Sequence, residues 1–185
     1  MPTPATSKQG KTARDLIDGI TDSWQAEMPE LDRSQSELTK RAARLAAKLG
    51  DRLTACIAPW GLTRADYGVL STLRSIGEPY ALRPKELSSR LLLSSGGVSN
   101  MVARLEGLGL VQRQPHPSDG RSTWVRLTPD GVNTSAEMAR AWGRTQADIF
   151  RAVPAPLCKS AADILRDVLL AMGDAEPAKP ADTSD

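Results

Sequence analysis

The chain has 185 residues, of which 40% are hydrophobic and 25% are charged, a size and balance typical of one globular fold. Its formal net charge is only +2, so binding to a polyanion must depend on where the charges lie rather than on their sum. With only 4 Trp, 2 Tyr and 1 Phe, the chain lacks the aromatic side chains of a large stacking surface for single-stranded nucleic acid.

The charges are distributed unevenly along the chain. Residues 33–64 carry seven Lys and Arg side chains against two carboxylates, Glu37 and Asp51, whereas residues 174–185 are acidic. A basic stretch of this kind is consistent with a phosphate-facing surface and equally with an ordinary solvated helix face.

The cysteines and the apolar runs indicate the compartment. Cys56 and Cys158 lack the CxxC spacing of a zinc site and do not form a disulfide framework. No run approaches the ~18 apolar residues that span a bilayer, and residues 1–11 lack the apolar core of a signal peptide. We therefore expect a cytoplasmic protein without a membrane, metal or cofactor partner.

The predicted elements begin after a tail. Residues 1–10 and 174–185 are rich in Pro, Ala, Thr and charge, and we expect both to be disordered. In residues 11–28, apolar side chains recur every four positions at Leu16, Ile20 and Trp24, which predicts a short amphipathic helix.

A second, longer helix is predicted within residues 34–62. Ser34 or Ser36 can cap its start, an apolar stripe continues to Cys56, and Pro59 and Gly61 end it.

The pattern of residues 63–128 predicts a compact module of three helices and a hairpin. Thr63 caps the first helix, Pro84 opens a short second one, and Ser94 with Ser95 opens the third. The runs VQRQ and STWVRLT contain β-branched residues and are joined by the turn formers of HPSDGR, which is typical of a β-hairpin.

Two more helices are predicted in residues 129–173, the first opened by Pro129 and the second after Pro156. The fold class is therefore mainly α with a small β-hairpin wing, in which long helices flank the module.

The third helix of the module resembles a reading element for duplex DNA. Val98, Val102 and Leu105 fall in one sector of the helical wheel, and small or hydrogen-bonding residues fall opposite. Ser can contact phosphates or bases, Asn can pair with adenine, and Arg reaches guanine or phosphate. The candidate contacts are Ser95, Gly97, Ser99, Asn100 and Arg104. The same residue types also occur on ordinary exposed helices.

The hairpin tip supplies further candidates, namely His116, Asp119 and Arg121. The Arg121 guanidinium suits the negative potential of a narrow minor groove, and Asp119 can hold it in one rotamer through a bidentate pair. The alternative is a surface turn with an incidental ion pair.

These segments, taken together, resemble the MarR family of bacterial regulators. The resemblance is carried by ADYGVLSTL, PKELSSRLLLSSGGVSNMVARLEGLGLV and PSDGRSTWVRLTPDG, and it covers residues 38–172. It implies a winged helix-turn-helix fold and a homodimer built from residues 34–62 and 129–173, which reads a pseudo-palindrome of duplex DNA with half-sites about one helical turn apart. The apolar stripes of those helices also favour a dimer, and a monomer in which they wrap the module is the alternative.

A finer resemblance suggests an effector. SWQAEMPELDRSQSE is similar to the extension of the urate-responsive, PecS-like branch of the family, in which Trp24 and Asp66 match residues that line the pocket. A planar purine anion needs a stacking face, a carboxylate for ring N–H groups and an arginine for its charge, and Arg113 is the candidate arginine.

The sequence departs from that branch at Met101, where a second arginine often follows the Ser-Asn pair, and Arg90 or Arg83 is the candidate substitute. Two simpler interpretations stay open. Trp24 can be a buried anchor for the first helix, and Asp66 can be a helix-start charge favoured by the macrodipole.

The sequence favours a repressor released by a small anionic or aromatic effector, and three other functions are alternatives. A thiol-based redox sensor would use Cys56, although its place on an apolar stripe favours packing. An enzyme is disfavoured because His116 is the one histidine and no Walker, GxSxG or HExxH motif occurs. A winged helix that binds only proteins remains open.

Overall fold

A computed structural model describes residues 13–115 and 123–175, which divide into two units, Met1–Arg64 and Ala65–Asp185. The predicted disordered tail at residues 1–10 lies outside the described residues, as do the predicted contacts His116, Asp119 and Arg121.

The first unit contains two helices, α1 (Leu16–Glu27) and α2 (Arg33–Ile57), followed by a 3-10 turn at Ala58–Trp60. The α1 helix packs on α2 and buries Ile17 and Thr21. The expectation that Ser34 or Ser36 caps α2 is wrong. The cap is Asp32, whose carboxylate accepts a hydrogen bond of 2.8 Å from the Gln35 amide, because the backbone is already helical at Arg33.

The second unit contains the module and the last two helices. Its elements are α3 (Arg64–Ser75), β1 (Ala81–Leu82), α4 (Pro84–Leu91), α5 (Ser95–Gly107), β2 (Val111–Pro115), β3 (Thr123–Leu127), α6 (Pro129–Phe150) and α7 (Ala155–Ala171). The antiparallel sheet has the order β1-β3-β2, with Gln112 opposite Arg126 and Ala81 also opposite Arg126. The sequence predicted the hairpin but not β1, which has only two residues.

The core of the second unit lies between α3, α4, α5, the sheet and the start of α6. Its apolar side chains are Val69, Leu70, Leu73, Ala81, Leu82, Leu87, Val98, Val102, Leu105, Val111, Val125, Leu127 and Met138. The helix α5 therefore has its inner face fixed by packing.

The start of α6 is joined tightly to the segment that follows α5. The Thr128 hydroxyl accepts a hydrogen bond from the Gly131 amide at 3.0 Å and donates one to the Gly109 carbonyl at 2.6 Å. A Cβ on Gly131 would lie 1.9 Å from the Leu110 carbonyl oxygen, so only glycine fits this approach of two backbones.

The last helix, α7, differs from the others in the second unit because none of its residues is buried. Its large exposed apolar side chains are Leu157, Ile164, Leu165, Leu169 and Leu170, and Met172, just after the helix, is exposed as well. Within the described ranges, no helix combines the length and the apolar character needed to cross a bilayer. The predicted fold class, mainly α with a small hairpin wing, is confirmed.

Candidate nucleic-acid interface

The helices α4 and α5 form a helix-turn-helix. The Leu92 amide donates to the Ser89 carbonyl at 3.3 Å, and the Leu93 amide donates to the Ser88 carbonyl at 3.0 Å. Ser94 then caps α5 by accepting from the Gly97 amide at 3.2 Å. Leu92 adopts a left-handed conformation with φ of 53° and is 85% exposed, an uncommon state for a leucine.

The two faces of α5 are separated as its periodicity predicted. Val98, Val102 and Leu105 are buried against the core, whereas the opposite side of the helix is exposed. Four of the five candidate contacts on α5 are exposed and Gly97 is half-buried; the exposed ones are Ser95, Ser99, Asn100 and Arg104. A packed inner face holds these small polar groups on a rigid support, which suits insertion into a major groove.

An ion pair between a buried carboxylate and a half-exposed arginine joins α3 to α5. The Asp66 carboxylate lies in the first turn of α3 and is only 1% exposed, and the Arg104 Nε donates to its Oδ2 at 3.1 Å. The Arg104 side chain is 50% exposed, so it spans from the core to the surface. A carboxylate removed from water needs such a charged partner. Asp66 is therefore more than a helix-start charge favoured by the macrodipole.

A second ion pair joins α5 to β2. Arg113 donates from its backbone amide to Glu106 Oε1 at 2.9 Å and from Nη1 to Glu106 Oε2 at 3.0 Å. Its Nη2 also donates to the Ser99 carbonyl at 3.4 Å. The predicted effector arginine thus contacts the same helix that carries the candidate DNA contacts.

The remaining effector candidates differ in position. Arg90 is exposed in the last turn of α4, and Met101, which replaces the second arginine, is half-buried on α5. Trp24 belongs to the first unit and is 47% exposed, with the Lys40 Nζ 5.8 Å from its ring centroid. The interpretation of Trp24 as a buried anchor is therefore wrong, because Ile17 and Thr21 fill that role.

Two arginines of the basic stretch pair with carboxylates of the first unit. Arg41 donates to Asp15 at 2.9 Å, to Asp18 at 2.8 Å and to Glu37 at 2.9 Å, and Arg33 contacts Asp22 and Glu37. The hydrogen bond from Arg41 lowers the pKa of Asp15 to about 2. Arg33 and Arg41 therefore hold α1 on α2, a use of their charge that neither sequence interpretation of the stretch included.

The comparisons with known proteins agree on one family. A model of the MarR family matches residues 60–122. The transcriptional regulator PecS of Dickeya dadantii is 27% identical over 115 residues, which are 62% of this chain and 69% of that protein. An uncharacterized HTH-type transcriptional regulator of Mycobacterium bovis is 32% identical over 111 residues, 58% of this chain and 75% of that protein.

A comparison with a solved structure shows that the fold is also similar. The MarR family transcriptional regulator Sco3205 from Streptomyces coelicolor, crystallised in complex with DNA, is 27% identical. The match has a TM-score of 0.64 and covers 78% of this chain and 93% of Sco3205. The sequence relatives and this structure are all transcriptional regulators.

Proposed function

The chain belongs to the MarR family of DNA-binding transcriptional regulators, and from this we propose that it represses transcription as a homodimer on a pseudo-palindromic operator. The observation that carries the proposal is the geometry of α5, whose apolar face is buried while Ser95, Ser99 and Asn100 are exposed. The N-terminal part of such a helix contacts base edges, and the flanking groups contact phosphates.

The homodimer is supported by the apolar surface of the helices that flank the module. The α7 helix exposes Leu157, Ile164 and Leu169, and α2 exposes Leu38 and Leu45. Apolar patches on several turns of two helices are a surface that a second copy would cover by C2 symmetry. Light scattering over a dilution series tests this, and a monomer at every concentration would contradict it.

The DNA part is tested by fluorescence anisotropy at fixed salt, because affinity for DNA depends strongly on salt. The probe is a duplex from the region upstream of the chain's own gene, compared with a scrambled duplex of equal length. We expect Asn100→Ala to lose roughly tenfold of the preference for the operator, as expected for one bidentate contact to adenine.

The matched control is Asn133→Ala, an exposed asparagine on α6, which should leave that preference unchanged. If Asn100→Ala and Asn133→Ala bind both duplexes like the parent, α5 does not read the operator. If the parent prefers neither duplex, the regulator proposal fails for this operator.

The effector in this proposal is a small planar anion such as urate. Its proposed contacts in the second unit are Asp66, Arg113 and Arg90, and Trp24 of the first unit is a further candidate contact. Arg113 supports this choice because it holds Glu106 and the Ser99 carbonyl, both on α5. An anion that takes Arg113 from Glu106 would loosen the helix that reads DNA, which is how ligand and operator compete.

The experiment adds urate to the bound complex of the parent and of Arg113→Ala, with Arg126→Ala as control. Arg126 is an exposed arginine on the neighbouring strand β3. Arg113→Ala lacks the side-chain pair with Glu106, so we expect it to bind operator more weakly than the parent before urate is added and to be unaffected by urate, whereas urate should release both the parent and the control. Equal release of all three would remove Arg113 from the effector site, and no release of the parent would exclude urate.

A further inference from the structure

The second half of α2 carries three cations along one side of the helix. Arg44, Lys48 and Arg52 follow one another at intervals of four residues, and all three are exposed. Residues four apart on a helix are neighbours about 6 Å apart along its axis, so the three form one stripe roughly 12 Å long. We call these three residues the cationic stripe.

The cationic stripe differs from the first half of the same helix because it has no counter-charges. Arg33 pairs with two carboxylates and Arg41 with three. In the part of the chain that the structure describes, no residue of the stripe forms an ion pair or a side-chain hydrogen bond. This holds even for Lys48, although Asp51 lies only three positions further along the helix.

An ordinary solvated helix surface does not explain the stripe. Such a surface places opposite charges three or four residues apart, because like charges at that spacing repel and destabilise the helix. The exposed helix α7 has this mixed arrangement, with Lys159 and Arg166 both paired to Asp163. The cationic stripe retains the repulsion, and a polyanion bound along it would relieve that repulsion.

We propose that the cationic stripe of α2 is a second DNA-binding surface, which binds backbone phosphates and reads no bases. Over roughly 12 Å, one strand of duplex DNA carries three or four phosphates, enough for one at each cation of the stripe. Lys and Arg side chains contact phosphates without sequence preference. The inference rests on the proposed DNA-binding function and adds a surface on a helix other than α5.

The experiment measures the affinity of the full chain for the operator duplex and for the scrambled duplex between about 50 and 200 mM salt. The stripe variant combines Arg44→Gln with Lys48→Gln. The matched control combines Arg140→Gln with Arg144→Gln, which removes the same charge at the same spacing from two exposed arginines of α6. Asp148 lies one turn after Arg144, so that surface carries both signs of charge.

The stripe variant should bind both duplexes roughly tenfold more weakly at about 50 mM salt. The slope of log affinity against log salt should fall by about two for each bound subunit, the value of two lost phosphate contacts. The difference from the parent should narrow as the salt rises, and the preference for the operator should stay the same because the stripe reads no bases. The α6 control should keep the affinity and the slope of the parent.

Two further measurements separate the charge of the stripe from the folding of α2. Glutamine is nearly as good a helix former as lysine or arginine and removes a like-charge repulsion, so the stripe variant should melt no earlier than the parent. Arg44→Lys keeps the charge, and it should keep the affinity and the slope because a phosphate contact needs a cation rather than a fixed fork of donors.

Three outcomes would overturn the inference. The first is a stripe variant with the affinity and slope of the parent on both duplexes. The second is an equal loss in the stripe variant and the α6 control, which would show that total charge matters and the stripe does not. The third is unchanged DNA affinity together with lost binding to vesicles that contain phosphatidylserine, which would assign the stripe to a membrane surface.

Failure of the proposed function is a separate result. A parent that binds the two duplexes equally contradicts operator reading by α5. Weaker binding of the stripe variant to the scrambled duplex would still support the stripe in that case, because backbone contacts do not depend on sequence.

Discussion

The two units of the chain are stabilised by different forces. In residues 65–175, α5 and its neighbours bury side chains such as Leu70, Leu105 and Val125 completely. In residues 13–64, the buried apolar side chains are Ile17, Ile57 and Leu62, and exposed ion pairs join α1 to α2. The unit that carries α5, the helix proposed to read DNA, therefore has its own core. The other unit depends more on charges and leaves leucines of α2 exposed.

The largest expected effect comes from truncating one buried leucine in the core of the second unit. Leu105→Ala should lower the free energy of unfolding by about 2–5 kcal/mol, because it leaves a cavity under α5. Leu45→Ala, on the exposed stripe of α2, should cost less than about 1 kcal/mol and weaken the proposed dimer instead. Urea unfolding and light scattering measure the two effects. An equal loss of unfolding free energy for both variants would contradict the conclusion that the two units are stabilised differently.

A smaller effect is expected where α6 meets the segment after α5. Gly131→Ala should destabilise the second unit by about 1–3 kcal/mol, since its methyl group would collide with the Leu110 carbonyl. Gly143→Ala, on the same helix with open space around it, should stabilise by about 0.5–1 kcal/mol. Thermal unfolding distinguishes the two variants. A Gly131→Ala variant with the melting temperature of the parent would show that the backbone at this junction shifts to make room for the methyl group.

The turn before α5 is an exposed exception within the well-packed unit. Leu92→Gly should raise the free energy of unfolding by about 1 kcal/mol, because glycine adopts a positive φ without strain. Leu108, also exposed but with φ of −87°, is the control. Leu108→Gly should destabilise by about 0.5–1 kcal/mol. If both glycines change the melting temperature in the same direction, the strain at Leu92 is not the cause.

The smallest effect concerns the charges of the first unit, because exposed ion pairs contribute little. The pKa of Asp15 is lowered to about 2, first by the hydrogen bond from Arg41, and the pKa values of Asp22 and Glu37 are lowered as well. A depressed pKa in the folded state stabilises it above the usual value of 3.8 and loses that effect as the pH falls toward 2.

Acidification should therefore loosen α1 from α2 before it unfolds the core of the second unit. Amide chemical shifts of residues 16–27, followed by NMR from neutral pH downward, measure this. Arg41→Ala should show the loosened shifts already at neutral pH, whereas Arg44→Ala, at an exposed arginine of the same helix, should resemble the parent. Loss of both units at one pH would contradict the comparison.

Periodicity was sufficient to predict which side of α5 is buried, because Val98, Val102 and Leu105 recur at helical spacing and such spacing determines a face. It was not sufficient for β1, since two residues carry no alternation. The sequence pattern also predicts a serine as the cap of α2, whereas the cap is Asp32, which lies just upstream. Helix ends are uncertain by one or two residues when only the sequence is considered.

The sequence did not predict which side chains from different helices and strands form ion pairs. The sequence predicts Asp66 as an effector contact and Arg104 as a DNA contact, and nothing in their spacing indicates that the two side chains meet. Arg113 likewise pairs with Glu106, which no pattern singled out. Side-chain pairs between elements depend on tertiary packing, whereas faces of a helix depend on local repeats.

The junction at Thr128 restricts the orientation of α6. The Thr128 hydroxyl is hydrogen-bonded to both Gly109 and Gly131, and the Leu110 carbonyl occupies the space that a side chain at Gly131 would need. These contacts oppose a rotation of α6 that is independent of the segment after α5. We expect a tilt of this long helix to move the end of α5 with it. In the proposed dimer, the length of α6 would thus convert a small change of angle into a measurable change in the span between two half-sites.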